Sequence, residues 1–366
     1  MGDSNEHPEQ SHRSPFSAAS SGLRVVAIGG GTGLSTLLTG LKRYVSSSAD
    51  RPSAKARKPE ISNLSAVVTV SDDGGSSGRL RKEFNMLPPG DVRNCIVALS
   101  EDEALLSKLF QHRFDKGSGL EGHSFGNLFL TALTSITRDF SEAVRLSSEI
   151  LVTRGHIYPA TTANVELEAL MEDGTRVRGE TKITASKGRI KELSLIPHDV
   201  EPLPQTLEAI ARADLITIGP GSLFTSLIPN LLVHGIAKAI ASSSATKVYI
   251  CNLMTQANES LGRTAADHIR ALNGHARAQI FDYALLNRES ISAQLKAKYA
   301  LEGAAQVVVD KQAIKELGVR PVLGDYLDEG DVARHATDRI ARDLLELAVQ
   351  ARSNEGSAPT RHTTSS

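Results

Sequence analysis

The chain has 366 residues, 40% of them hydrophobic and 23% charged, with 41 basic and 42 acidic side chains giving a formal net charge of -1. A chain of this length and mix buries a large core, and the even charge balance excludes the basic surplus of a nucleic-acid binder. No apolar run approaches the ~20 residues of a membrane span, so membrane insertion is excluded as well.

Residues 1–22 are rich in Ser, Pro and His and lack an apolar signal-peptide core. They read as a disordered tail, as do residues 353–366. Val25 to Ile28 is a short continuous apolar run, which suits a strand buried on both faces of a parallel sheet. It stops at Gly29, Gly30, Gly31, Thr32 and Gly33, after which Leu34, Leu37, Leu38 and Leu41 follow at helical spacing. Glycines at such a junction let the backbone approach a ligand, and the helix start offers N–H groups to an anion. The dinucleotide fingerprint is incomplete, because Leu34 stands where its last glycine belongs, which counts against an NAD(P)-dependent oxidoreductase. An ATPase loop fails too, for want of a Lys-Ser or Lys-Thr pair. What is left is an anion or nucleotide site, with a plain packing turn as the alternative.

Ser46 to Glu60 reads as a surface insertion. Leu64 to Val70 is a second strand, and it delivers Ser71 to Arg79 at a sheet edge where open parallel sheets bind ligands. Within that loop Asp72 and Asp73 suit a divalent metal or a ribose, and Gly74, Gly75 and Ser76 suit phosphate; a tight Asp-capped turn is the structural alternative. The same residues fit a G-x-S-x-G pattern, but two aspartates before it and a charged run after it argue against a nucleophilic Ser76.

Asp91 is expected to cap a helix over Val92 to Leu99, whose first turn presents Arg93 and Asn94 to solvent or to a phosphate or base. Glu103 to Phe114 continues as helix. His123 and Asn127 flank a glycine at the start of another apolar helix, a ligand-ready terminus where His123 is equally well a structural residue. Asp139 to Leu151 is a further helix. From 161 to 196 the apolar residues alternate around an Asp173-Gly174 turn, the mark of a small antiparallel β lobe inserted into the main domain.

Parallel character returns at Asp214 to Ile218, which ends in Gly219, Pro220, Gly221 and Ser222, and again at Lys247 to Cys251, which ends in Asn252. Leu261 to Leu272 is helical, Gln306 to Asp310 offers a last strand, and Asp331 to Gln350 a terminal helix with Arg334 and His335 in its first turn. Cys95 and Cys251 sit in apolar segments, as small buried hydrophobes of a reducing compartment do. Polar loops at the ends of several strands point to the α/β class, a doubly wound, Rossmann-like parallel sheet over 23–352 with one cleft at its rim.

The segments IGGGTGLSTLLTGLK, VTVSDDGGSSGRLR, LPPGDVRNCIVALS, GHSFGNLFLTALT, DLITIGPGSLFTSLIPNLL, CNLMTQ and a late ARH occur in one order from about Arg24 to Leu347. In these the chain resembles the CofD-like superfamily, and most closely its gluconeogenesis factor branch, the YvcK-like proteins. The resemblance implies a cytoplasmic protein that binds a nucleotide sugar such as UDP-N-acetylglucosamine and supports growth on gluconeogenic carbon sources, envelope synthesis and cell shape. It implies phosphate contacts from Gly29 to Gly33, from Gly219 to Ser222 and from Arg334, with Asn94, Asn127, Asn230 and Asn252 in the same ligand set. Distant relatives are phospholactate transferases that use Mg2+ and a guanylylated donor; on that alternative Asp72 and Asp73 hold the metal and His123 is the acid or base. The run after the paired aspartates follows the regulator pattern, which favours a binding protein over a transferase. A homodimer and a partner protein of envelope synthesis are the macromolecular partners this reading leaves open.

Overall fold

Seven strands form one all-parallel sheet in the order β10-β9-β8-β7-β1-β2-β3. They are β1 (Leu23–Gly29), β2 (Ile61–Val68), β3 (His156–Pro159), β7 (Leu215–Ile218), β8 (Thr246–Ile250), β9 (Tyr283–Asn287) and β10 (Arg320–Gly324). This computed structural model describes residues 22–46, 59–101, 104–186, 188–257 and 259–355; most of both expected tails, residues 47–58 of the expected insertion and Glu103 lie outside that range. The expected α/β class with a Rossmann-like parallel sheet is the one that forms. Central strands have buried apolar runs, as a sheet covered on both faces requires: Val25, Ala27, Ile28, Leu215 and Ile216 are all fully buried.

The order of strands reverses at β1. From it the chain winds through β2 to β3 on one side, while β7 to β10 extend on the other, with Ile28 level with Ile218. Such a switch point leaves a crevice at the carboxyl ends of the two central strands. Into it the glycine loop feeds α1 (Gly31–Leu41), and the loop after β2 feeds α2 (Gly75–Phe84) and then α3 (Gly90–Leu99). α4 (Ala104–Gln111), α5 (Phe125–Thr137) and α6 (Phe140–Ile150) follow before β3.

A second, antiparallel sheet of β4 (Glu166–Met171), β5 (Arg176–Arg178) and β6 (Ile190–Ile196) occupies the span read as an inserted lobe, in the order β5-β4-β6. A short helix not anticipated from sequence, α7 (Glu180–Ala185), joins β5 to β6.

Four local expectations are corrected. Gln306 to Asp310 is extended but stays outside the sheet: Gln306 bridges only Met254, and Val307 N–H bonds the Leu253 carbonyl, so the segment covers the loop after β8. The strands beyond β8 are β9 and β10 instead; Pro321 is tolerated because β10 is an edge strand. The terminal helix starts at Thr337 and runs to Glu355, while Arg334 and His335 belong to β12 (Ala333–His335), which pairs with β11 (Leu327–Glu329) around a turn at Gly330. Asp91 does not cap α3, because the helix begins one residue earlier with Pro89 in the cap position. Lastly, α4 stops at Gln111, and Arg113 turns back to bridge Ser124.

Cys95 and Cys251 are buried and unpaired, and burial pushes the Cys251 thiol up to about 12. No single described helix is long and apolar enough to cross a membrane.

Candidate functional site

α1 opens on Gly30 in extended conformation, with Gly31 left-handed at φ +61°, and no side chain caps the helix. Two glycines are required by what they touch. A Cβ on Gly33 would lie 2.3 Å from the Pro220 carbonyl oxygen, and one on Gly30 would lie 2.5 Å from the Thr69 methyl and 2.9 Å from Asp91 Oδ2. The glycine loop after β1 and the Gly219 to Ser222 loop after β7 are therefore pressed together at the switch point. Thr32 is exposed beside them.

The β7 loop is held from behind. Asn252 accepts the Gly221 N–H at 3.1 Å and donates to the Gly221 carbonyl at 2.8 Å, and Gln256 donates to Ser222 Oγ at 2.9 Å. Asn230 is fully buried; its amide donates to the carbonyls of Gly29 at 3.2 Å and Ser226 at 2.9 Å, leaving Oδ1 without a partner among the described residues.

The paired aspartates diverge. Asp73 Oδ1 accepts the N–H of Thr181 at 2.8 Å and its hydroxyl at 2.5 Å, so this carboxylate is spent on the first turn of α7. Asp72 Oδ1 accepts the Gly74 N–H at 2.9 Å, and its Oδ2 faces Gly90 at the start of α3. Asp72 shares its surroundings with three acids that sequence reasoning did not assign to the site. Asp91 lies beside Gly30 with its Oδ2, and burial, reinforced by the Asp72 charge, pushes its carboxyl up to about 7. Glu180, brought in by α7, is pushed up to about 9 by burial first and then by Asp72, Asp91, Asp73 and Glu259. Glu259 Oε1 accepts the N–H groups of Phe224 and Thr225 at 2.7 and 2.8 Å, and its burial raises its pKa too.

Acids thus flank both loops expected to cradle phosphate: Asp91 lies beside Gly30, and Glu259 takes the N–H groups of Phe224 and Thr225 just beyond Ser222. A phosphate entering here meets negative charge, which a proton or a divalent cation must offset. Hard carboxylate oxygens suit Mg2+, which keeps waters and takes only one or two protein carboxylates beside ligand phosphate. Asp72 and Asp91 fit that role. The described group with three potential ligand atoms close enough to share an ion, Asp199, Glu201 and His234, is exposed and separate from these acids.

On the α5 side, Ser76 Oγ stands 2.9 Å from His123 Nδ1 and accepts the Asn127 amide at 3.0 Å. All three residues are buried. Burial first, then the Arg79 charge, keeps the His123 imidazole below its ordinary pKa. Asn94 accepts from Arg93 Nη2 at 2.6 Å.

The family model described as 2-phospho-L-lactate transferase CofD matches residues 25–327. A gluconeogenesis factor of Halalkalibacterium halodurans is 50% identical over 324 residues, 88% of this chain and 95% of that one. The gluconeogenesis factor of Bacillus subtilis is 47% identical over 88% of this chain and 98% of its own. The chain belongs to the gluconeogenesis factor branch of the CofD family. A crystal structure of a protein from Bacillus halodurans superposes with a TM-score of 0.83 at 49% identity, covering 89% of this chain and 100% of that one, and a second structure from that organism, described as a UPF0052 family member, gives 0.82.

Within this CofD-family chain, Gly29 to Gly33, Asp72, Gly219 to Ser222 and Asn252 gather at one rim of the sheet. Gly74, Gly75 and Ser76 adjoin them at the start of α2. Arg334 lies on β12, exposed, with no side-chain hydrogen bond or ion pair among the described residues, and its neighbour His335 donates Nε2 to the Cys251 carbonyl at 3.0 Å, which seats the hairpin over the end of β8. Sequence reading missed Asp91 as more than a cap, and missed Glu180 and Glu259. Only Asp91 carried a local signal, a carboxylate on the first turn of a helix that follows a Pro-Pro-Gly turn.

Proposed function

We propose that this protein is a cytoplasmic nucleotide-sugar-binding regulator, with UDP-N-acetylglucosamine as the ligand type, that supports growth on gluconeogenic carbon sources and maintenance of cell envelope and shape. The carrying observation is the uncapped start of α1, where exposed Thr32 and its glycine neighbours meet the β7 loop across the switch-point crevice. That terminus offers N–H groups and the positive end of a helix dipole to a pyrophosphate. Mg2+ would neutralise part of the phosphate charge, and Asp72 and Asp91 are the carboxylates that would hold it. Arg334, free on its hairpin, supplies a cation from the β8 side. Calorimetric titration with UDP-N-acetylglucosamine, with and without Mg2+, tests this in the parent chain and in Asp72→Ala and Arg334→Ala variants. Saturable heat that weakens at least tenfold in both variants is expected; no heat with any uridine nucleotide sugar removes the reading.

The acidic cluster supports a second reading, a Mg2+-dependent transferase of the phospholactate type. In it Asp72 and Asp91 bind the metal, and His123, paired with Ser76, holds or releases the acceptor proton. Release of GMP from a guanylylated phospholactate donor in the presence of a deazaflavin acceptor and Mg2+ is the outcome that would favour it.

A further inference from the structure

The α5 side of the cleft carries three arginines, Arg93 partly buried and Arg79 and Arg113 exposed. Arg93 stands on the first turn of α3, two residues beyond Asp91, and its Cδ passes 2.8 Å from where a Cβ on Gly126 would be, so its stem lies against the first turn of α5. Its Nη2 bonds a neutral partner, the Asn94 side-chain oxygen, at 2.6 Å. Nε is buried and bonds nothing among the described residues. Arg113, bridged to Ser124, gives a guanidinium N–H to the Gly122 carbonyl, and Arg79 gives Nη2 to the Glu121 carbonyl at 2.6 Å. None of the three arginines forms an ion pair within the described residues, although acids crowd the opposite wall. Burial first, and the nearby Arg113 second, pull the Arg93 pKa down, while Asp91 and Asp72 act against them.

An unmade hydrogen bond from a buried polar group costs roughly 1–3 kcal/mol, and more when the group is charged. A guanidinium cannot relieve that cost by losing its proton, and its planar fork matches a carboxylate or phosphate. We propose that Arg93 and Arg113, beside the first turn of α5, form a second oxyanion subsite, separate from the α1 glycine loop, that takes a phosphate or carboxylate group. The group is either the far end of the cleft ligand or a second small molecule. Neither source requires the ligand to be a uridine nucleotide, so the subsite stands or falls apart from the function proposed above.

The test uses inorganic phosphate as probe and backbone amide NMR of the full chain. Phosphate titrated to tens of millimolar is expected to shift the Phe125, Gly126 and Asn127 amide signals, and malonate to shift the same set if the subsite also accepts carboxylates. Arg93→Met abolishes these shifts without lowering the melting temperature, because it removes an unsatisfied buried donor and a like charge; Arg93→Lys restores part of them. Should Arg93→Met fold poorly, Arg113→Met is read in its place. Adding UDP-N-acetylglucosamine to the phosphate-loaded protein separates the two sources: displacement of phosphate means one ligand spans both subsites, and retention means a second molecule. Amide shifts confined to Gly31, Thr32 and Gly33, or no shifts at all, would overturn the proposal. So would an Arg93→Met variant that loses stability but keeps the α5 shifts.

Discussion

The two walls of the cleft carry charge of opposite sign, and they differ in how that charge can be relieved. Acids can take up protons: Glu180, pushed up to about 9, is largely neutral at pH 7, and Asp91, pushed up to about 7, titrates there. Arginines cannot. Arg93 keeps its charge and leaves Nε without a partner among the described residues. One wall adjusts its charge with pH, and the other does not.

The largest expected effect comes from Glu259, whose charge is the one fully satisfied on the acidic wall. Glu259→Ala strands the Phe224 and Thr225 N–H groups and should cost about 2–4 kcal/mol in chemical denaturation, with Glu259→Gln recovering part of it. A loss under about 0.5 kcal/mol would mean those N–H groups find water, and the contrast between a satisfied and an unsatisfied acid would collapse.

Glu180 should behave in the opposite sense. Its folded pKa is raised from 4.5 to about 9, so the folded state holds the proton more tightly than the unfolded state does. The stability linked to this proton is present below pH ~4.5 and drains away as pH rises toward 9. Removing the charge with Glu180→Gln should therefore raise stability at pH 7 by up to about 3 kcal/mol, with little change at pH 4. Melting curves across that range check the slope; parallel curves for the two proteins would break the argument. Added Mg2+ should raise the melting temperature of the parent at neutral pH, and Asp91→Asn should remove most of that rise.

The smallest effect separates the two adjacent aspartates. Asp73→Ala removes the acceptor on the first turn of α7 and should cost about 1 kcal/mol, read as earlier hydrogen exchange in the β4 to β6 lobe. Asp72→Ala should leave the lobe intact and act on the Mg2+ response alone. Equal effects from the two would mean they form a single site after all.

The glycine loop and the first strands were legible because the chain announces them: an apolar run, a glycine break and a change to helical period fall within twenty residues. The inserted lobe was legible from its alternation. β9 and β10 were not, and β10 carries a proline, whereas the Val307 to Val309 run looks like a strand and is only a loop cover. Arg334 and His335 were read into the helix because no Gly or Pro stands between them and its start at Thr337; the nearby Gly330 comes before them and closes a hairpin. Glu180 and Glu259 come from segments far along the chain from Asp72 and Asp91, a juxtaposition that only the fold creates, so spacing held no trace of them.

Asn252 grips Gly221 by both its amide groups, and His335 rests on Cys251 just before it. The β7 turn, the close of β8 and the hairpin are in this way pinned to one another like boards on a common nail, so none of them shifts without dragging the rest. The opposite bank is held otherwise: there Gly74 and Gly75 lead into α2, and the lobe is tied to the loop after β2 through Asp73 and Thr181.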